Sequence, residues 1–289
     1  MFFIIGFVLV SASVVGGYAA AGGHLEILWQ PLEFVIIFGA MFGGFIIASP
    51  KQVLGGVGKA LGGTLLKGPS YTKAHYLELI GCLYAVFRVA KSKGDLALES
   101  HVEKPEDSTL FANFPKFAKD HHALEFLCDY LRMLTLGTSN AYEVEAVMDM
   151  ELDGHHAEML AISGAIDDMG QAAPAFGIVA AVLGVIHTMG SITEPPEVLG
   201  HLIGGALVGT FAGILMSYGY LGPMGKTIAA SHASDAKYME VIKAAVIAHM
   251  QGYAPQVSVE FARKIIPGNM RPTFAEVENM VQNLPTDSG

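Results

Sequence analysis

Glu33 and His187 are ionisable groups set inside otherwise apolar stretches of this 289-residue chain. A group in such a setting is the first place to look for chemistry. A carboxylate in an apolar helix can take up and release a proton. It can equally be a boundary residue: Glu33 falls in the first turn after Pro31, where the helix dipole favours negative charge and the interface is within reach. His187 has two readings as well, a functional group or a hydrogen-bonding side chain near the outer end of its segment. The histidines of His121–His122 and of His155–His156 are neighbours in sequence, so each pair leaves a helix in two directions and shares a metal poorly. No metal site is expected. Cys82 and Cys128 lack CxxC spacing, which points to free buried thiols in a reducing compartment. No nucleophile stands at a useful spacing from a base, so the chain does not read as an enzyme, and no cofactor is expected.

The backbone supplies sharper candidates. Pro174 and Pro223 each lack an N–H, which leaves the carbonyls of Gly170 and Gly219 without their helical donors. In lipid such carbonyls must be satisfied by protein or water. Two prolines near one depth therefore read as a wet or moving site, or as two kinks or helix starts at the membrane boundary. With an outer turn near residue 196, Ala181 and Thr210 lie about 15 residues to either side. At about 1.5 Å per residue, both then sit about 20 Å from the turn.

These residues need a membrane to position them. The chain is 52% hydrophobic and only 15% charged, and its apolar residues cluster into four spans: 2–21, 32–49, 174–191 and 201–222. Each is close to the ~20 residues that cross a hydrocarbon core of about 30 Å. The first has a cleavage-like Ala19-Ala20-Ala21, but it lacks a basic flank and its apolar run is long for a signal peptide, so a retained span is expected. The spans contain no Lys, Arg or Asp. All 17 lysines and arginines fall within 51–171 and 223–289. By the positive-inside rule those segments are cytoplasmic, and so are both ends of the chain. The net charge of −10 makes nucleic acid a poor partner. The expected domains are a first transmembrane hairpin (1–50), a cytoplasmic domain (51–171), a second hairpin (172–222) and cytoplasmic C-terminal helices with a frayed tail after Leu284 (223–289).

The cytoplasmic parts read as helical. Tyr76, Ile80, Leu83 and Phe87 recur at helical spacing before Gly94, and Leu124, Leu127, Leu131 and Leu134 do so before Gly137. Asn140 is placed to cap a further helix through Glu145 and Met148, Gly252 to end one, and Pro272 to start the last. The fold class is thus all-α: a polytopic membrane protein with four transmembrane helices and a helical cytoplasmic domain. The fourth span carries Gly200-x-x-x-Gly204 and Gly205-x-x-x-Gly209-x-x-x-Gly213, spacing that lets helix backbones approach closely.

Several stretches together are familiar: "GGYAAAGGHLEILWQP" from Gly16, "PAFGIVAAVLGVIH" from Pro174, "LVGTFAGILMSYGYLGP" from Leu207, and "QGYAP" from Gln251 followed by "VEFARK". With the hairpin–cytoplasmic domain–hairpin order, the chain resembles the flagellar-motor stator subunits (MotA) of the MotA/TolQ/ExbB proton channel family over nearly its whole length. The resemblance implies an ion-driven torque generator of the bacterial inner membrane. It implies a homo-oligomer in lipid, a pentamer around two copies of a single-span partner, MotB, which supplies a membrane aspartate. It implies a cytoplasmic contact with the rotor protein FliG. Under it, Pro174 and Pro223 match the family's functional prolines and Thr210 its pore-side threonine. Ala181 stands where sodium-driven relatives carry a hydroxyl, which favours protons as fuel. Glu99 matches the acidic rotor contact, and the basic one falls on Lys91 or, one turn earlier, on Arg88. An ExbB/TolQ-type energiser usually has three spans against the four here. A non-conducting scaffold would leave the prolines and Thr210 unexplained.

Overall fold

The computed structural model describes residues 2–64 and 71–285, and the expected frayed tail from 286 onward lies outside them. Among the described residues every regular element is helical, and four helices are long and apolar enough to cross a membrane. The chain forms two compact units: residues 1–68 with 157–232, and residues 69–156 with 233–289.

The first unit holds α1 (Phe2–Ala20), a 3₁₀ turn (Leu25–Leu28), α2 (Pro31–Ala48) and α3 (Lys51–Lys59), which runs into a π turn at Ala60–Thr64. Pro31 occupies the first position of α2, where its missing N–H costs nothing. Helix α1 exposes apolar side chains on every face, among them Ile4, Ile5, Phe7, Val8 and Leu9, the pattern of a helix solvated by lipid. Its anchor is Tyr220, whose ring lies 4.7 Å from Phe7 and whose hydroxyl is 2.8 Å from that of Ser11. Met41, Val57, Ile166, Met169, Ala173, Leu221 and Ile228 form this unit's core.

The second unit is built around α4 (Lys73–Lys93). The expected stripe of Tyr76, Ile80, Leu83 and Phe87 is buried, and so is most of the rest of the helix. That follows from its central place, with α11 (Pro255–Ile265), α12 (Phe274–Gln282), the short α6 (Pro115–Ala118) and a 3₁₀ turn (Asp95–Leu98) packed against it. Gly94 ends α4 at φ +86°, a conformation that glycine adopts without strain. The short α5 (Glu99–Glu103) follows that turn. Helix α7 (His121–Thr135) buries Leu124, Leu127, Leu131 and Leu134. The Asp120 carboxylate accepts from its Ala123 N–H at 3.2 Å, and Gly137 follows at φ +93°.

Two helix boundaries differ from the sequence reading. The helix expected after Asn140 and the third span are one element, the 49-residue α8 (Ala141–Met189), which runs through Pro174 without a break. Membrane helices tolerate an internal proline because neighbouring helices re-satisfy the freed backbone. The last helix starts at Phe274, not at Pro272. Thr273 is its cap, accepting from the Glu276 N–H at 3.2 Å while the Glu276 carboxylate accepts from the Thr273 N–H at 2.7 Å. This reciprocal pair satisfies two orphan donors, which proline has no side chain to do. After α9 (Pro196–Ile214), a π segment (Leu215–Leu221) leads without a turn into α10 (Gly222–Met250), which Gly252 ends at φ +87°. Helices α8 and α10 contribute residues to both units.

Candidate functional site

Helices α8 and α9 meet along a seam of small residues. Ala173, Gly177, Ala180 and Gly184 recur at helical spacing on α8, and Ala206, Gly209 and Gly213 do so on α9. The backbones are so close that side chains would not fit. A Cβ on Gly177 would lie 2.7 Å from the Gly209 carbonyl oxygen, and one on Gly213 would lie 2.6 Å from that of Ala173. Without lone hydrophobic driving force in lipid, such contacts are what hold two helices together.

This register places the expected pathway residues. A Cβ on Gly209 would come within 3.2 Å of the Ala181 nitrogen and 3.0 Å of the Ala180 Cβ, so Ala181 and Thr210 lie within a residue of one level. Both are half-buried. The prolines are less closely matched. Gly170 faces Leu221 and Gly222, and Gly225 faces Ser163 and Asp167. Pro223 is therefore level with residues near 167–169, and Pro174 stands between one and two turns, or ~9 Å, further along.

The π segment also changes which carbonyl Pro223 deprives. The Gly222 N–H donates to the Ser217 carbonyl, five residues back. In that register the bond Pro223 cannot make is the one to Tyr218, not to Gly219. The Tyr218 side chain is largely exposed. Irregular π turns of this kind recur at functional sites because they free backbone groups.

Two groups were open in the sequence. The His187 side chain is exposed. Glu33 folds onto the seam: its Oε1 lies 3.2 Å from where a Gly184 Cβ would be, and its Oε2 lies 3.1 Å from where a Gly209 Cβ would be. Sequence spacing could not reveal this, since Glu33 belongs to a third helix, α2.

In the second unit, the last turn of α4 and the first residue of α5 carry the remaining candidates. Lys91 and Glu99 are exposed. Lys91 lines a hollow of about 420 Å³ with Gly94, Asp95, Thr138, Ser139 and His249. Arg88 is engaged: its guanidinium donates to the Pro285 carbonyl and lies 5.9 Å over the Tyr84 ring. His249 stacks on Phe87 at 4.5 Å, with Nε2 3.7 Å from the Asp95 carboxylate. Burial holds its pKa below the usual histidine range, and Asp95 opposes that shift. The two histidine pairs meet across helices, His122 of α7 and His155 of α8 lying 4.8 Å apart ring to ring. Burial also pushes the Cys82 thiol well up and that of Cys128 up to about 12, which keeps both protonated.

Residues 4–94 match the model of the motility protein A N-terminal region, and residues 118–255 match that of the MotA/TolQ/ExbB proton channel family. Motility protein A of Salmonella typhimurium is 39% identical over 282 residues, covering 98% of this chain and 95% of that protein. Motility protein A of Escherichia coli K12 has the same identity and coverage. In fold, the chain is similar to a subunit of the C. jejuni MotAB structure, with a TM-score of 0.77 and 22% identity, covering 94% of this chain and 98% of that one. The flagellar MotAB stator complex of Bacillus subtilis gives a TM-score of 0.74 at 24% identity, covering 93% and 96%.

Proposed function

The chain belongs to the MotA/TolQ/ExbB proton channel family as a motility protein A, and from that premise we propose how its residues do the work. It is a stator subunit of the bacterial flagellar motor, residing in the membrane and forming with MotB a channel that converts ion flow into torque. In our reading its copies form a pentameric ring in inner-membrane lipid, with both ends of the chain cytoplasmic. The ring surrounds MotB helices that bring the aspartate.

The observation that carries this reading is the α8–α9 seam. Its helices are packed by glycine and alanine, it presents Thr210 beside Ala181 at one level, and toward the basic side of the membrane Pro174 and, beyond the end of α9, Pro223 each remove a backbone donor. An aspartate from another helix would travel along such a wall without meeting a fixed countercharge. Pro174 and the π segment ahead of Pro223 leave backbone carbonyls without their helical donors, to be met by water or by a neighbouring helix. Ala181 lacks the oxygen ligand that a hard cation needs, which favours protons over Na⁺.

At the rotor end we assign the basic contact to Lys91 and the acidic one to Glu99, acting on FliG. Support for Lys91 over Arg88 comes from exposure. Lys91 stands at the mouth of a hollow, whereas the Arg88 guanidinium already serves the Pro285 carbonyl and the Tyr84 ring.

The test is complementation. Expressed with its MotB in a cell lacking stators, the chain should restore swimming in sodium-free medium. Pro174→Ala should abolish rotation while the complex still assembles in the membrane. Normal swimming by the Pro174→Ala cell, or arrest of the unmodified one when sodium is withdrawn at constant proton-motive force, would overturn the reading.

A further inference from the structure

Glu33 is a carboxylate of this chain that the reading above does not use. Helix α2 presents it from its first turn. Its two oxygens rest on two different helices, Oε1 over Gly184 of α8 and Oε2 over Gly209 of α9. Both positions are glycine, and a methyl group at either would press to within 3.2 Å or 3.1 Å of the carboxylate. The two glycines thus leave room for the carboxylate as well as for Ala206 and Ala180 of the facing helices. Gly209 is also the residue that touches Ala181 and precedes Thr210, so Oε2 sits within a turn of the pathway residues.

Glu33 Oε2 is buried and has no hydrogen-bond partner among the described residues. The chain's own atoms cover it, so a side chain from another subunit would reach it only by displacing them. The titratable groups on the packed elements, His187 of α8, Glu197 and His201 of α9, and His24 and Glu26 near the 3₁₀ turn, are all exposed, and none makes a hydrogen bond or ion pair with Glu33 Oε2 among the described residues. Thr188 donates to the Gly184 carbonyl at 2.9 Å, and the Gln30 amide donates to the Ile27 carbonyl at 3.1 Å. An oxygen covered in this way, without a cation or a donor, is satisfied most simply when the carboxyl carries a proton, and because Glu33 as a whole is only half-buried, a proton can still arrive from outside. One carboxylate among glycines and alanines also offers too few oxygens to wrap a hard cation.

We propose that Glu33 is a second proton-carrying carboxylate of the channel, at the outer end of the α8–α9 seam. It takes a proton from the outer boundary and passes it toward the partner's aspartate. No bond other than O–H changes: Glu33 gains a proton from outside and returns to the carboxylate as it gives the proton inward. This rests on the stator reading and extends it, because the seam then contributes its own protonatable group as well as a wall.

The experiment measures zero-load rotation speed against external pH at fixed proton-motive force. It uses cells carrying the full chain with its MotB, as wild type, Glu33→Gln and Glu33→Asp. Glutamine keeps the shape but cannot titrate. Wild-type speed should fall as external pH rises. Glu33→Gln should turn more slowly with that dependence lost, and Glu33→Asp should keep the dependence at lower speed. A Glu33→Gln motor with the wild-type profile, or a wild type without any dependence, overturns the proposal. Equal loss in both variants does so too, because it marks a packing role. Should Glu33→Gln not reach the membrane, Glu33→Asp alone decides: a flat profile or wild-type speed refutes. A wild-type chain that never rotates the motor refutes the stator reading instead.

Discussion

Substituting Gly213 by alanine tests the seam most directly. The new Cβ would lie 2.6 Å from the Ala173 carbonyl oxygen, 3.0 Å from the Gly177 Cα and 3.3 Å from the Ala173 carbonyl carbon. All three are backbone atoms, so no side chain can swing aside. Restoring ordinary contact at 3.4 Å requires the helices to part by about 0.8 Å. A gap of that size forfeits roughly a quarter to a half of each dispersion contact along the seam. Overpacking of this kind typically costs about 1–3 kcal/mol. At about 2–4 °C per kcal/mol for a chain near this size, the detergent-solubilised complex with MotB should melt roughly 2–12 °C lower. Stall torque of tethered cells should fall with it, since the same displacement moves Thr210 away from Ala181. Gly200→Ala is the control. Its Cβ meets nothing within 4 Å, and alanine is favoured over glycine in a helix by about 1 kcal/mol. If Gly213→Ala keeps both melting temperature and torque, or if the two variants behave alike, close backbone contact is not what holds the pathway in shape.

Two further outcomes follow from the second unit. Reversing charge at Lys91 (Lys91→Glu) should reduce torque more than Arg88→Glu and should be partly rescued by a reversed charge on FliG, whereas Arg88→Glu should show no such rescue; bead assays on the paired mutants decide. His249 is held below its ordinary pKa by burial, so it folds as the neutral ring. The stability this gives is present above the unfolded value near 6.5 and is lost as pH falls through it toward the lowered folded value. Limited proteolysis of native membranes should therefore cut the second unit faster at pH 5.5 than at pH 7.5. His249→Gln should shrink that difference, and an unchanged pH dependence in the variant removes His249 as its cause.

What could be read from the sequence depended on how many elements a feature needs. Gly94, Gly137 and Gly252 announce helix ends through one residue's freedom at positive φ, and each stands at such an angle. The pairing of Ala181 with Thr210 needs two helices, and counting from one turn suffices because an antiparallel pair has a single register. The merging of a cytoplasmic helix with the third span was hidden because Pro174 reads as a break, and only packing against α9 and α10 decides that it is not. Pro272 misled for a similar reason: Thr273 and Glu276 make a better cap than proline's fixed φ.

Glu33 needs three helices at once, which is why local sequence left it between a boundary residue and a proton site. The spans of the seam contain no carboxylate, yet a third helix delivers one to their glycines. Those glycines therefore serve two ends through a single property. The absence of a side chain at Gly209 lets α8 approach to within contact of Ala180 and Ala181, and the same absence leaves room for Glu33 Oε2. A bulkier residue there would part the helices and expel the carboxylate together. Close packing of the pathway wall and access of a titratable group to it are, in this fold, one constraint rather than two.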